Sequence, residues 1–292
     1  MSNNSITKTL FTTSFALFAF AANSIFCRLA LGERSIDASS FTVIRLFSGA
    51  VVLLMIMKLF GEKDESGSKG SWGATSMLFI YASTFSFAYL SLDTGTGALI
   101  LFGAVQLTMI MIALISGDRL HLVEWIGVSI AFGGFVFLVL PTVTTPSFVG
   151  FALMTIAGVA WGVYTLMGRR SKSPLSDTTY NFIRTLPLIV VMGLFFIQNA
   201  SLTQKGVILA VLSGAIASGI GYTIWYVALG GLSVTVAALA QLLVPVIAAL
   251  GGVVFVSESL SIRFLLSASL ILGGISLVVF GKRYSANPGA LK

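Results

Sequence analysis

The sequence predicts an all-α membrane protein of ten transmembrane helices, arranged as two inverted five-helix repeats. Three observations carry this prediction. Of 292 residues, 57% are hydrophobic and only 9% are charged, with a mean hydropathy of +1.00. A soluble domain is typically about one quarter charged, so this chain cannot clothe an ordinary water-facing surface. Second, apolar runs of roughly the 20 residues needed to cross a bilayer recur along the whole length. Third, "FTVIRLFSGAVVLL" (41–54) returns as "YNFIRTLPLIVVMG" (180–193), which sets Arg45 and Arg184 139 positions apart.

The runs fall at about 9–30, 40–59, 72–91, 94–116, 122–140, 147–168, 178–197, 206–229, 232–255 and 263–281. Span 1 follows Lys8 and resembles a cleavable leader. However, "FALFAFAANS" (15–24) matches "FALMTIAGVA" (151–160) of span 6, so it is expected to be a working helix. Span 2 carries Arg45. Span 3 matches span 8 through "FSFAYLSLDTG" (85–95) and "YTIWYVALGGL" (222–232). Spans 4 and 9 lead into "SGDRL" (116–120) and "VSESL" (256–260). Spans 5 and 10 complete the two halves, 1–141 and 147–281, joined by "PTVTTP" (141–146) and followed by a cytoplasmic tail, 282–292. Five helices is an odd number, so the second half enters the membrane from the opposite face.

Charge placement orients the chain. With a cytoplasmic N-terminus, eleven of the 17 Lys and Arg residues face inward and four face outward, the other two being Arg45 and Arg184. The positive-inside bias therefore puts both termini in the cytoplasm and accounts for the net charge of +7 without nucleic acid. Trp72 and Trp125 then fall at inner helix ends, and Trp225 reads as another residue of the aromatic belt. One cysteine and one histidine exclude a disulfide framework and a multi-histidine metal site, and no cofactor is expected.

Four polar residues converge on the midplane. At about 1.5 Å per residue, Tyr81 and Gln241 lie about 14 Å into spans 3 and 9, while Gln106 and Ser218 lie about 18 Å into spans 4 and 8. Each alone could bond a neighbouring helix; together they fit a shared polar cavity. Asn23, Trp161 and Tyr164 form a second tier. Span 8 carries small residues at four-residue spacing, including Ser213, Ala217 and Gly221, which permits close packing or sliding. Pro187 and Pro245 each remove a backbone donor inside a span, making kinks that could act as hinges. Arg45 and Arg184 sit roughly 7 and 9 Å from opposite faces. They fit either a snorkelling side chain or a gate on each side. All ten acidic residues fall in loops or at helix ends, which points to a cavity without a buried carboxylate and without conventional ion coupling. An intramembrane hydrolase needs paired midplane Asp, HExxH or an equivalent set. None is present, so the chain is not expected to be an enzyme.

Taken with the topology, these motifs resemble the drug/metabolite transporter superfamily in its EamA-domain branch. The resemblance rests on Asn23 late in span 1, "AWGVYTLMGRR" (160–170), the early arginine of spans 2 and 7, and "LLVPVIAALGGVVFVSESL" (242–260). Phe20 in place of Trp and the lack of a proline in span 4 depart from the pattern. Within the superfamily the chain looks most like the YddG-type aromatic amino acid exporters. The resemblance implies a permease of a bacterial inner membrane that exports small amphipathic metabolites, aromatic or apolar amino acids among them. Alternating access would occur around the midplane cavity, and a monomer is compatible. An uncoupled importer or a channel-like facilitator for another neutral metabolite is the alternative.

Overall fold

In hydrocarbon no water satisfies the backbone, so long apolar runs resolve as helices. The computed structural model describes residues 3–60, 69–117, 121–139, 146–168, 171, 173–229, 231, 232, 237 and 240–286. Among them every regular element is helical, apart from one isolated bridge between Ile36 and Leu202. The helices are α1 (Asn3–Gly32), α2 (Ala38–Phe60), α3 (Trp72–Ala88), α4 (Thr94–Ile115), α5 (Leu122–Val139), α6 (Phe148–Gly168), α7 (Pro174–Arg184), α8 (Leu186–Phe196), α9 (Gln204–Leu212), α10 (Gly221–Leu229), α11 (Leu243–Val256) and α12 (Ile262–Ala286). A π-helical stretch, Ser213–Ile220, joins α9 to α10 without a break. Seven helical stretches are long and apolar enough to cross a membrane: α1, α2, α4, α6, α7–α8, α9–α10 and α12. Linkers 61–68, 118–120 and 141–145 and the chain after 286 lie outside the described residues. So do Lys63, Arg119, Arg169, Arg170, Lys172 and Lys292 from the charge placement above.

Local chemistry sets the helix ends. Ser71 caps α3 by accepting from Ala74 N at 3.1 Å, and Thr203 caps α9 from Gly206 N at 3.1 Å. Pro174 opens α7 in the first turn, where its missing N–H costs nothing. The span containing Pro187 is interrupted at Thr185, and helix before Pro245 is interrupted at Leu242. Each proline withholds the N–H that would have bonded the carbonyl four residues back, and each interruption falls within that missing turn.

Packing follows the small residues. α5 lies along α12 because Gly127 and Gly274 face each other; a Cβ on either would stand 2.5 Å from the other's carbonyl oxygen. α6 packs on α3 and α4, while α1 packs on α10 and α11. α2 runs against the π-helical stretch at Gly214, whose missing Cβ makes room for the Arg45 carbonyl and Ser48 Oγ. Large apolar side chains such as Phe60, Ile115 and Phe195 project outward, as expected of a lipid-facing surface.

Candidate functional site

The core is aromatic. Phe20 of α1, Tyr81 and Phe85 of α3, Trp161 of α6 and Tyr222 of α10 meet with ring centroids 4.7–6.3 Å apart, the separation at which edge and tilted contacts are favourable. With Asn23, Leu101 and Phe102 they line a cavity of about 10 Å³, room for roughly one water molecule. In this conformation the rings are closed on one another.

A polar thread runs through these rings. Ser213 Oγ donates to Asn23 Oδ1 at 2.5 Å, and Asn23 Nδ2 donates to Tyr81 Oη at 3.2 Å. Arg45 Nη2 also donates to Tyr81 Oη, at 3.0 Å, and to Tyr222 Oη at 3.4 Å, while Nε reaches Ser218 Oγ at 3.3 Å. The guanidinium carbon lies 4.9 Å from the Phe85 centroid and 5.1 Å from that of Tyr81, within cation–π range. The π-helical geometry brings Ser213 and Ser218 into this network from one segment; such insertions concentrate at functional sites.

Arg45 corrects one of the two readings left open above. It is 1% exposed and does not snorkel to an interface. Distance along the helix axis put it near one face, but α2 turns it inward, toward α3 and the π-helical stretch. Arg184 differs: it is half-buried, donates to the Lys69 carbonyl and sits 5.9 Å from the Trp72 ring. The two arginines are therefore not equivalent in position. Trp225 is a second correction. It is buried with its ring 5.7 Å from Phe20, not placed in an interfacial belt.

Of the other anticipated residues, Asn23, Tyr81 and Trp161 line the cavity. Ser218 and Arg45 stand behind the lining and join it through the Tyr81 and Tyr222 hydroxyls, and the Tyr164 ring lies 5.5 Å from Trp161. Gln106 and Gln241 are buried but are not among the lining side chains. The sequence reading missed Phe85, Tyr222 and the lining role of Phe20. Spacing held the signal: Tyr81 and Phe85, and likewise Ser218 and Tyr222, are four apart and share a helix face.

Both ends of the bundle are tied. At one end Arg28 Nε donates to Glu258 Oε1 at 3.0 Å, and both Glu258 oxygens accept from Thr94 N at 2.9–3.0 Å at the start of α4. A carboxylate belongs at that positive helix terminus. At the same end Asp37 accepts from Ser40 N and Ser201 N at 2.9 and 3.0 Å, and Thr203 Oγ1 donates to the Ser35 carbonyl. Burial pushes the Asp37 carboxyl up, but the bonds from Ser40 and Ser201 outweigh it and hold the group below its ordinary value. At the opposite end Asp177 accepts from Gly70 N at 2.7 Å and Ser171 Oγ at 2.5 Å, and Asn181 Oδ1 from Ser71 N at 3.1 Å. Asp37 joins the start of α2 to the segment before α9. Asp177 joins the start of α7 to the segment before α3 in the same manner.

The arrangement offers aromatic faces, hydroxyls, an amide and one guanidinium. Among the described residues no three of His, Cys, Asp and Glu come together as a metal would require.

Comparison with known proteins agrees with this picture. The EamA-like transporter family profile matches residues 148–280. The chain is 44% identical to uncharacterized protein PA1977 of Pseudomonas aeruginosa over 272 residues, covering 93% of this chain and 94% of that one. It is 25% identical to an uncharacterized transporter of Archaeoglobus fulgidus, covering 92% and 96% of the two chains. It is also 25% identical to the probable amino-acid metabolite efflux pump of Escherichia coli, over 73% of this chain and 76% of the relative. A crystal structure with 20% identity superposes with a TM-score of 0.63, covering 92% of this chain and 97% of the other, which is a likeness of fold. The multi-pass helical architecture, the match across residues 148–280 and the relatives named as transporters liken this chain, in its second half above all, to the EamA-like transporter family.

Proposed function

We propose that the chain is a ten-span permease of a bacterial inner membrane, with both termini cytoplasmic, that exports small amphipathic metabolites. The observation that carries this is the make-up of the central cluster. Phe20, Asn23, Arg45, Tyr81 and Phe85 come from the first half, and Trp161, Ser213, Ser218 and Tyr222 from the second. A site shared by two halves opens when they move apart, as alternating access requires.

Paired packing supports reading the halves as inverted repeats. α1 meets α10 and α11 as α6 meets α3 and α4, and Asp37 and Asp177 tie corresponding segments at opposite ends. Apolar or aromatic amino acids suit the ring-lined cavity, and the probable amino-acid metabolite efflux pump of E. coli adds to that choice. The remaining anticipated parts take their places in this scheme. Gln106, Tyr164 and Gln241 line the widened cavity, Pro187 and Pro245 are hinges, and Arg184 serves the gate at the Asp177 end.

The test is uptake of labelled phenylalanine and threonine by purified protein in liposomes, with and without an imposed pH gradient. Saturable flux of phenylalanine without a gradient is expected. Flux of neither compound overturns the amino acid assignment, and strict dependence on the gradient overturns uncoupled transport.

A further inference from the structure

Arg45 is a buried cation without a counter-charge among the described residues. Among the described residues its guanidinium meets three hydroxyl oxygens and two ring faces, and no carboxylate lies within ion-pair range. Its Nη1 is buried and makes no hydrogen bond. Neutral hydroxyls only partly replace the hydration of a full charge, and an unneutralised cation within a membrane is costly. Such a residue persists where something else brings the opposite charge.

We infer that the substrate brings it. The ligand of the central cluster is an organic monocarboxylate with an apolar or aromatic body, its carboxylate received by Arg45 and its body by the rings. The α-ammonium group of an amino acid is not a required element. This rests on the reading that the cluster is the substrate site.

Three features support the assignment. The planar guanidinium fork matches a carboxylate, and Nη1 is available while Nη2 is held only by two phenol oxygens at 3.0 and 3.4 Å. Phe20, Phe85, Leu101, Phe102 and Trp161 supply an apolar lining for the body of the ligand. Among the described residues no acidic side chain lines the cavity to receive an ammonium group, and the Tyr81 and Phe85 faces nearest the site already bear on the guanidinium. A second cation there meets repulsion from Arg45. With the cavity at about 10 Å³, the rings separate before a ligand of this size enters, and the phenols of Tyr81 and Tyr222 turn from Nη2 to the incoming carboxylate.

Three probes on one carbon skeleton separate the charges: 3-phenylpropionate, phenylalanine and 2-phenylethylamine. Binding of each to the full chain in lipid nanodiscs is measured by equilibrium dialysis, for the wild type, Arg45→Gln, Arg45→Lys and Trp161→Ala. The expected order is 3-phenylpropionate at least as tight as phenylalanine, and 2-phenylethylamine weaker by about tenfold or more, a difference of about 1.4 kcal/mol. Arg45→Gln removes the advantage of the two carboxylates, and Arg45→Lys keeps part of it. The wild-type order needs no variant, so a poorly folding substitution does not blunt the test. Equal binding of 2-phenylethylamine, failure of 3-phenylpropionate to bind where phenylalanine binds, or binding of none of the three overturns the inference. Carboxylate-selective binding that Trp161→Ala leaves unchanged overturns the location of the site instead.

Discussion

Glu258→Gln tests the tie at the Arg28 end. In the wild type both carboxylate oxygens lie within 3.0 Å of Thr94 N, and Oε1 also accepts from Arg28 Nε at 3.0 Å. Their side chains are only 11% and 20% exposed, so solvent screens the pair weakly. Glutamine keeps the size but loses the charge and turns one acceptor into a donor. A hydrogen bond to a charged group contributes about 1.5–3 kcal/mol against about 0.5–1.5 for a neutral one. The helix N-terminus adds about 0.3–1 kcal/mol for an anion. The substitution therefore weakens this end by about 2 kcal/mol, which raises the population of a form open there by roughly thirtyfold. Cys27, the one cysteine, reports that opening: it adjoins Arg28 in α1 and is fully buried. When opening is fast relative to modification, the labelling rate tracks the open population. With a membrane-impermeant thiol reagent on oriented vesicles, Cys27 in Glu258→Gln should react about 30 times faster than in the wild type. An unchanged rate in a folded variant, or rapid labelling of the wild type, would refute the reasoning.

Three further outcomes follow from the geometry. Gly214→Ala places a Cβ against the Arg45 carbonyl and Ser48 Oγ, which must shift, so thermal unfolding in detergent should show a loss of about 1–3 kcal/mol. Asp37 has a folded-state pKa below its ordinary value, so its contribution is present above the unfolded pKa of about 3.9 and is lost as pH falls through the folded value. Asp37→Asn should accordingly lower the unfolding midpoint at pH 7 and converge with the wild type as pH drops below about 4. Arg184→Gln removes a half-buried contact with the Lys69 carbonyl and should cost under about 1 kcal/mol in the same unfolding assay, less than Arg45→Gln.

The all-helical, multi-pass character was legible because a bilayer demands long apolar runs, and the breaks at Thr185 and Leu242 follow from Pro187 and Pro245. The π-helical stretch was not legible. "SGAIASGI" (213–220) announces close packing, which Gly214 makes against α2, but its spacing carries no mark of the wider turn. The site was half legible. Asn23, Tyr81 and Trp161 stand out as polar or amphipathic residues deep in apolar runs, whereas Phe20 and Phe85 are two among 23 phenylalanines. The snorkelling reading of Arg45 and the belt reading of Trp225 fail for a shared reason. Counting residues from a helix end measures depth along the axis and carries no information on whether that face meets lipid or protein.

The most direct test of the central cluster as the transport site is phenylalanine flux through liposomes containing Trp161→Ala or Phe195→Ala. Trp161 lies against Tyr81 of the first half and Tyr222 of the second, whereas Phe195 is 82% exposed on the outer surface. Flux reduced by about tenfold or more in Trp161→Ala, with Phe195→Ala at the wild-type rate, is the predicted result. Equal flux in both variants would contradict a transport site among these rings.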